Sequence, residues 1–111
     1  MEVNRIEERE YKVVKLTSFA DSLAEQIEIW ESLGLSKSQI TRYVTDIQTA
    51  VDSLSYWPGR FQDVTDQYGF VEPTHRIPIG NVYAVFYRIK PDINSVIVGA
   101  LFDRRRFKVK F

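Results

Sequence analysis

Two apolar stripes separated by a very short break constrain this chain more than any other feature. Phe19, Ala20, Leu23, Ile27, Trp30 and Leu33 recur at three- and four-residue steps, the pattern of one face of an amphipathic helix. Thr17 or Ser18 offers an N-cap, Asp21 opposes the positive helix end, and Gly34 suits the left-handed residue that stops a helix. Beyond Leu35, Ser36 and Gln39 have capping-box spacing. Ile40, Tyr43, Val44, Ile47, Ala50, Val51 and Leu54 then form a second stripe, which Pro58-Gly59 ends shortly after Trp57. A link this short between two such helices predicts an antiparallel helical hairpin.

A hairpin of this kind must bury its apolar faces on another layer, and the remaining sequence reads as strands. Tyr11 to Leu16 is rich in β-branched residues and predicts a first strand. After a turn-rich stretch, 58–74, whose Phe61, Val64, Tyr68 and Phe70 are expected to tuck onto the core, three further strand signals follow. Arg76 to Ile79 contains Pro78 and suits a sheet edge. Gly80-Asn81 marks a turn, Val82 to Ile89 a strand, Lys90 to Asn94 another turn, and Ser95 to Phe102 the most apolar strand. Tight turns predict antiparallel pairing. The expected architecture is α+β in the order β-α-α-β-β-β, a helical hairpin packed on a small, mainly antiparallel sheet.

At 111 residues the chain suits one domain, 1–111, with residues 1–10 a charged lead-in. That lead-in has no apolar core of a secretory signal. No run approaches the roughly 20 apolar residues that span a bilayer. Cysteine is absent, which excludes disulfides and thiolate metal sites and fits a reducing cytoplasm. The net charge is zero, yet it is split. Residues 1–74 hold seven Lys/Arg against thirteen Asp/Glu, and residues 75–111 hold eight against two. The basic end either faces an anionic partner or is neutralised within the fold, and charge counts alone do not choose.

Among candidate functional residues, Arg104, Arg105 and Arg106 form the densest charge run. They read either as a solvated end that discourages edge pairing or, preferably, as a patch for an acidic or phosphate-bearing target, with Asp103 pairing one of them. His75, the single histidine, has no neighbouring acidic partners and reads as a surface or strand-edge residue rather than a metal ligand. Glu25, Glu28 and Glu31 read as solvated helix surface. Trp30, Trp57, Tyr43 and Tyr56 read as packing residues. Tyr83 and Tyr87 lie four apart on one strand, hence on one face, either in the core or as surface aromatics lining a concave face with Arg76. No nucleotide-binding loop, hydrolase elbow or zinc motif occurs, and no cofactor or metal is implied.

Three segments carry a family resemblance. Gly59 to Asp66 (GRFQDVTD) is similar to a Pro/Gly-x-Phe-x-Asp loop, Arg76 to Ile89 (RIPIGNVYAVFYRI) to a paired-strand motif, and Val96 to Phe107 (VIVGALFDRRRF) to a final apolar strand ending in Phe-His-x-Arg-Arg. In this order, over roughly residues 11–107, the chain resembles the RelE/ParE superfamily of toxins from toxin–antitoxin pairs. The resemblance implies a cognate antitoxin that covers apolar surface, a toxin–antitoxin hetero-oligomer, and a role in plasmid stabilisation or growth inhibition. The aromatic content, 14%, exceeds what one small core obviously needs and suits such a covered surface.

Departures from the motifs bear on mechanism. RelE-type members cleave ribosome-bound mRNA, whereas ParE-type members bind DNA gyrase. Ala84 stands where the resemblance implies a catalytic arginine, Asp103 where it implies a histidine, and Phe111 near the late tyrosine. Cleavage requires a group to activate the 2′-hydroxyl and an acid for the leaving oxygen, and neither alanine nor phenylalanine supplies one. The resemblance therefore implies a ParE-like toxin with DNA gyrase as target and Arg76, Arg104, Arg105 and Arg106 as a basic docking patch. A ribosome-dependent mRNA interferase with a divergent site and a degenerate, non-toxic antitoxin-binding protein are the alternatives.

Overall fold

The computed structural model describes residues 10–105 and 109–111. Its elements are β1 (Lys12–Lys15), α1 (Thr17–Ser32), α2 (Lys37–Asp52), a short α3 (Thr65–Tyr68), β2 (His75–Ile79), β3 (Tyr83–Lys90) and β4 (Ser95–Asp103). The expected β-α-α-β-β-β order holds, with α3 an unanticipated turn of helix inside the 58–74 stretch.

The hairpin link follows helix-end chemistry. Gly34 takes φ 86°. Leu35 N–H donates to the Trp30 carbonyl at 3.1 Å and Gly34 N–H to that of Glu31 at 3.0 Å, satisfying carbonyls that α1 leaves open. Ser36 then caps α2 in a full capping box with Gln39. At the start of α1 the expected cap is not used. Leu16 is the N-cap, without a side-chain bond. Ser18 lies within the helix, and its hydroxyl donates across the core to the Gly99 carbonyl at 2.6 Å. α2 also ends earlier than Pro58 implies, tightening at Asp52 into a 3-10 turn over Ser53–Ser55.

The sheet order is β1-β4-β3-β2. β3 pairs antiparallel with both β2 and β4, and only β1 runs parallel, alongside β4. β2 is an edge strand, as Pro78 implied. Its outer side is partly taken up by the preceding loop: Arg76 N–H donates to Gln62 at 3.0 Å, and Val64 N–H to Thr74 at 2.8 Å.

Each face of the sheet carries its own core. On the helix face, Phe19, Leu23, Trp30, Ile47, Val51 and Leu54 pack against Ile77, Val85, Tyr87, Val96, Val98 and Leu101. On the other face, Val64, Ala84, Phe86 and Phe102 form a smaller cluster covered by Tyr68, Phe70, Val109 and Phe111. Phe86 and Phe102 stack at 3.9 Å. The loop aromatics thus tuck onto the structure as expected, with Phe61 on the helix side and Tyr68 and Phe70 on the opposite side.

Candidate functional site

Alternation along β3 sorts its side chains. Tyr83, Val85 and Tyr87 point to the helices, while Ala84, Phe86, Arg88 and, by alternation, Lys90 take the other face. Arg76 pairs with Phe86 across the β2–β3 ladder and so joins this second face. The result is a cationic, aromatic surface opposite the helical hairpin.

Its cations are individually tethered. Arg76 donates to the Tyr68 hydroxyl and to Gln62 Oε1, each at 3.0 Å. The Arg88 side chain is only 18% exposed. Its Nε donates to Thr74 Oγ1 at 3.0 Å and its Nη1 meets Glu72 at 3.3 Å. The guanidinium lies 3.8 Å from the centre of the Phe111 ring and 5.6 Å from that of Phe70. Lys90 meets the other oxygen of Glu72 at 2.5 Å. The Lys90 hydrogen bond and charge, aided by Arg88, hold the Glu72 carboxyl below the usual carboxylate range.

The structure separates residues that the sequence suggested belong together. Tyr83 and Tyr87 do share a face, but it is the helix face, not that of Arg76. Tyr87 is not a surface aromatic: it is wholly buried, and its hydroxyl donates to the Pro58 carbonyl. Tyr83 is half-buried and accepts from Gln26 and from the Trp30 indole. The β2–β3–β4 register sets Asp103 opposite Tyr83 and Tyr83 opposite Ile79, whereas Arg76 lies opposite Phe86. Arg76 and the end of β4 are therefore about 14 Å apart in the sheet, two strand spacings across and three residues along. Arg104 and Arg105 stand at that far end, and Arg105 is locked on Asp103 by two side-chain bonds at 2.6 and 2.9 Å. This is the Asp103–arginine pair expected from the sequence. Arg106 lies outside the described residues.

His75 starts the edge strand, as expected, and it is turned away from the cations. It stacks on Tyr87 at 5.4 Å, and its Nδ1 lies 2.9 Å from the Phe61 carbonyl. Of the four aromatics read as packing residues, only Trp30 is buried. Tyr43 is partly exposed but packs on Trp30 across the hairpin, with ring centres 5.1 Å apart, whereas Tyr56 and Trp57 are exposed because α2 stops before it can carry them into the core. Trp57 holds a left-handed φ of 44°, and Arg60 fastens it by donating to the Tyr56 and Trp57 carbonyls at 2.6 and 3.1 Å. Sequence reasoning passed over Arg88, Lys90 and Glu72. The period-2 spacing of Arg88 and Lys90 on a strand was the signal that would have paired them.

A second surface feature is a groove of about 430 Å³ at the hairpin tip, lined by Trp30, Leu33, Leu35, Tyr43, Ile79 and Tyr83. Leu33 and Tyr43 on its rim are exposed. Among the described residues no helix is long and apolar enough to cross a membrane.

No family model and no curated protein matches this chain. One solved structure that does is the toxin–antitoxin complex RelBE2 from Mycobacterium tuberculosis, with a TM-score of 0.55 at 18% identity over 88% of this chain and 95% of that one. At this identity the likeness is one of fold, and it extends over nearly all of both chains: the protein is built as a chain of that toxin–antitoxin complex is built.

Proposed function

We propose that this protein is the toxin of a toxin–antitoxin pair, of the ParE-like kind that acts by docking on an essential target, with DNA gyrase the target that the sequence resemblance implies. The observation that carries docking over cleavage is the position of His75. Among the described residues the only imidazole faces the helices, on the opposite side of the sheet from Arg76, Arg88 and Lys90. The carboxylate nearest those cations, Glu72, is already spent on two of them. A cationic face without an untethered acid–base group can bind an anionic surface but has little with which to move protons. The shared fold and the exposed apolar groove at the hairpin tip support an antitoxin partner, since a segment that folds on binding gains affinity from such a groove.

One contact favours the interferase alternative: the Tyr68 phenol sits 3.0 Å from Arg76 on the cationic face, a proton donor beside a cation. Controlled expression with and without the neighbouring gene decides among the readings. Growth arrest with a DNA-damage response and intact mRNA supports docking on gyrase. Cutting of ribosome-bound mRNA, abolished by Tyr68→Phe or Arg76→Ala, would establish the interferase. Absence of any growth effect would leave a non-toxic antitoxin-binding protein.

A further inference from the structure

Among the described residues, Arg76, Arg88 and Lys90 on the sheet face opposite the helices each have partners, and most of these partners, Glu72 and Phe111 included, come from irregular segments. Glu72 lies in the loop before β2, next to the fully exposed Val71, and is itself half exposed. Its carboxylate is split, one oxygen on Arg88 and the other on Lys90. Arg88 and Lys90 are two apart on one strand, so their side chains leave the same face of the sheet side by side whatever the loop does. Phe111, also in an irregular segment, lays its ring against Arg88 on the same face. The chain thus supplies from its own loops a carboxylate and an aromatic ring to one strand-borne guanidinium.

We infer that Arg88 and Lys90 form a carboxylate-binding site, filled in the free chain by Glu72, that receives an acidic side chain from a protein partner. The geometry already accommodates a bridging carboxylate, so an incoming one requires no rebuilding of the strand. Displacing Glu72 from Lys90 costs little, because an ion pair this exposed contributes little to stability, and at the less exposed Arg88 the incoming carboxylate replaces the one that leaves. Arg76, Arg88 and Lys90 together outnumber Glu72 on this face, and that positive balance attracts an acidic segment. A neighbouring aromatic residue of that segment finds a guanidinium that already stacks on a ring. The inference rests on the docking reading only in taking the partner to be a protein.

The test uses the full chain and fluorescence anisotropy with three labelled probes: a synthetic peptide alternating Glu and Phe, its Gln/Phe counterpart, and a single-stranded RNA oligomer of equal length. Glu72→Gln removes the internal competitor at a half-exposed position and leaves the fold intact by circular dichroism. It is expected to bind the Glu/Phe peptide about fivefold tighter than the unmodified chain, the size of one exposed ion pair. The Gln/Phe peptide should show no gain, and Lys90→Gln in the Glu72→Gln background should cancel it. Unchanged or weaker peptide binding by Glu72→Gln would overturn the inference, as would a gain that survives Lys90→Gln. A gain seen with RNA alone would assign the site to phosphodiesters and overturn it equally. Because no readout here is toxicity, loss of this inference leaves the toxin reading standing, and a non-toxic chain leaves this inference standing.

Discussion

Phe111 occupies the space that a side chain at Gly99 would need. A Cβ built on Gly99 collides with three atoms of the ring. The register shift between Phe86 and Tyr87 leaves Gly99 unpaired on β4, since Phe86 faces Ala100 and Tyr87 faces Val98. Gly99→Val should therefore expel the ring and cost about 1–3 kcal/mol, the usual penalty for overfilling a packed site. In a Phe111→Ala background the same change should cost clearly less. A double-mutant cycle from urea unfolding measures the difference, and strict additivity would show that the ring does not depend on position 99.

Tyr87 links stability to alkaline pH. Burial raises its phenol well above the ordinary 10.0, with Arg60 opposing the shift. The folded chain keeps the proton where the unfolded chain ionises. This contribution is whole below about pH 10 and is lost as pH rises further. Tyr87→Phe removes the titration but strands the buried Pro58 carbonyl, at a cost of about 1–3 kcal/mol near neutrality. Urea midpoints from pH 8 to 11 should fall more steeply for the unmodified chain than for the variant.

Ser36 accepts the Gln39 backbone N–H at 3.2 Å, while Gln39 Oε1 accepts the Ser36 N–H at 2.8 Å. Ser36→Ala should cost about 1 kcal/mol and leave the fold unchanged. Thermal unfolding with unchanged far-ultraviolet circular dichroism checks both parts.

If the cationic surfaces dock rather than catalyse, their arginines act in proportion to charge. Arg76→Ala, Arg104→Ala and Arg105→Ala should each weaken growth arrest modestly, and combinations should weaken it further. Binding to the target should also fall with salt, as contacts screened over about 8–10 Å do. One substitution abolishing activity by two or more orders of magnitude would point instead to a catalytic residue. Titrated expression with survival counts distinguishes a graded series from a single cliff.

The features legible in the sequence were those fixed by local chemistry. The Gly34 stop, the Ser36–Gln39 box and the Pro78 edge each depend on residues within a few positions of one another, and each is present. The start of α1 was misread because Ser18 serves a carbonyl on β4, a partner 81 residues away. The exposure of Tyr56 and Trp57 was missed because α2 stops early and its stripe ends with it. The candidate site was read from a run of consecutive arginines, yet the face that gathers cations draws them from β2 and β3 at register positions that only pairing defines. Arg76 belongs to that face, while Tyr83 and Tyr87 point away from it because alternation held them together with the core.

The strand order has a consequence for synthesis. β4 sits between β1 and β3, so the last of the described strands to be made joins the first of them to the rest of the sheet. Until Ser95–Asp103 has emerged from the ribosome, β1 has no strand beside it and the two helices have only part of the surface they bury against. A nascent chain stalled before residue 95 should therefore remain protease-sensitive throughout. Completion of the fold thus waits for Ser95–Asp103 to be made.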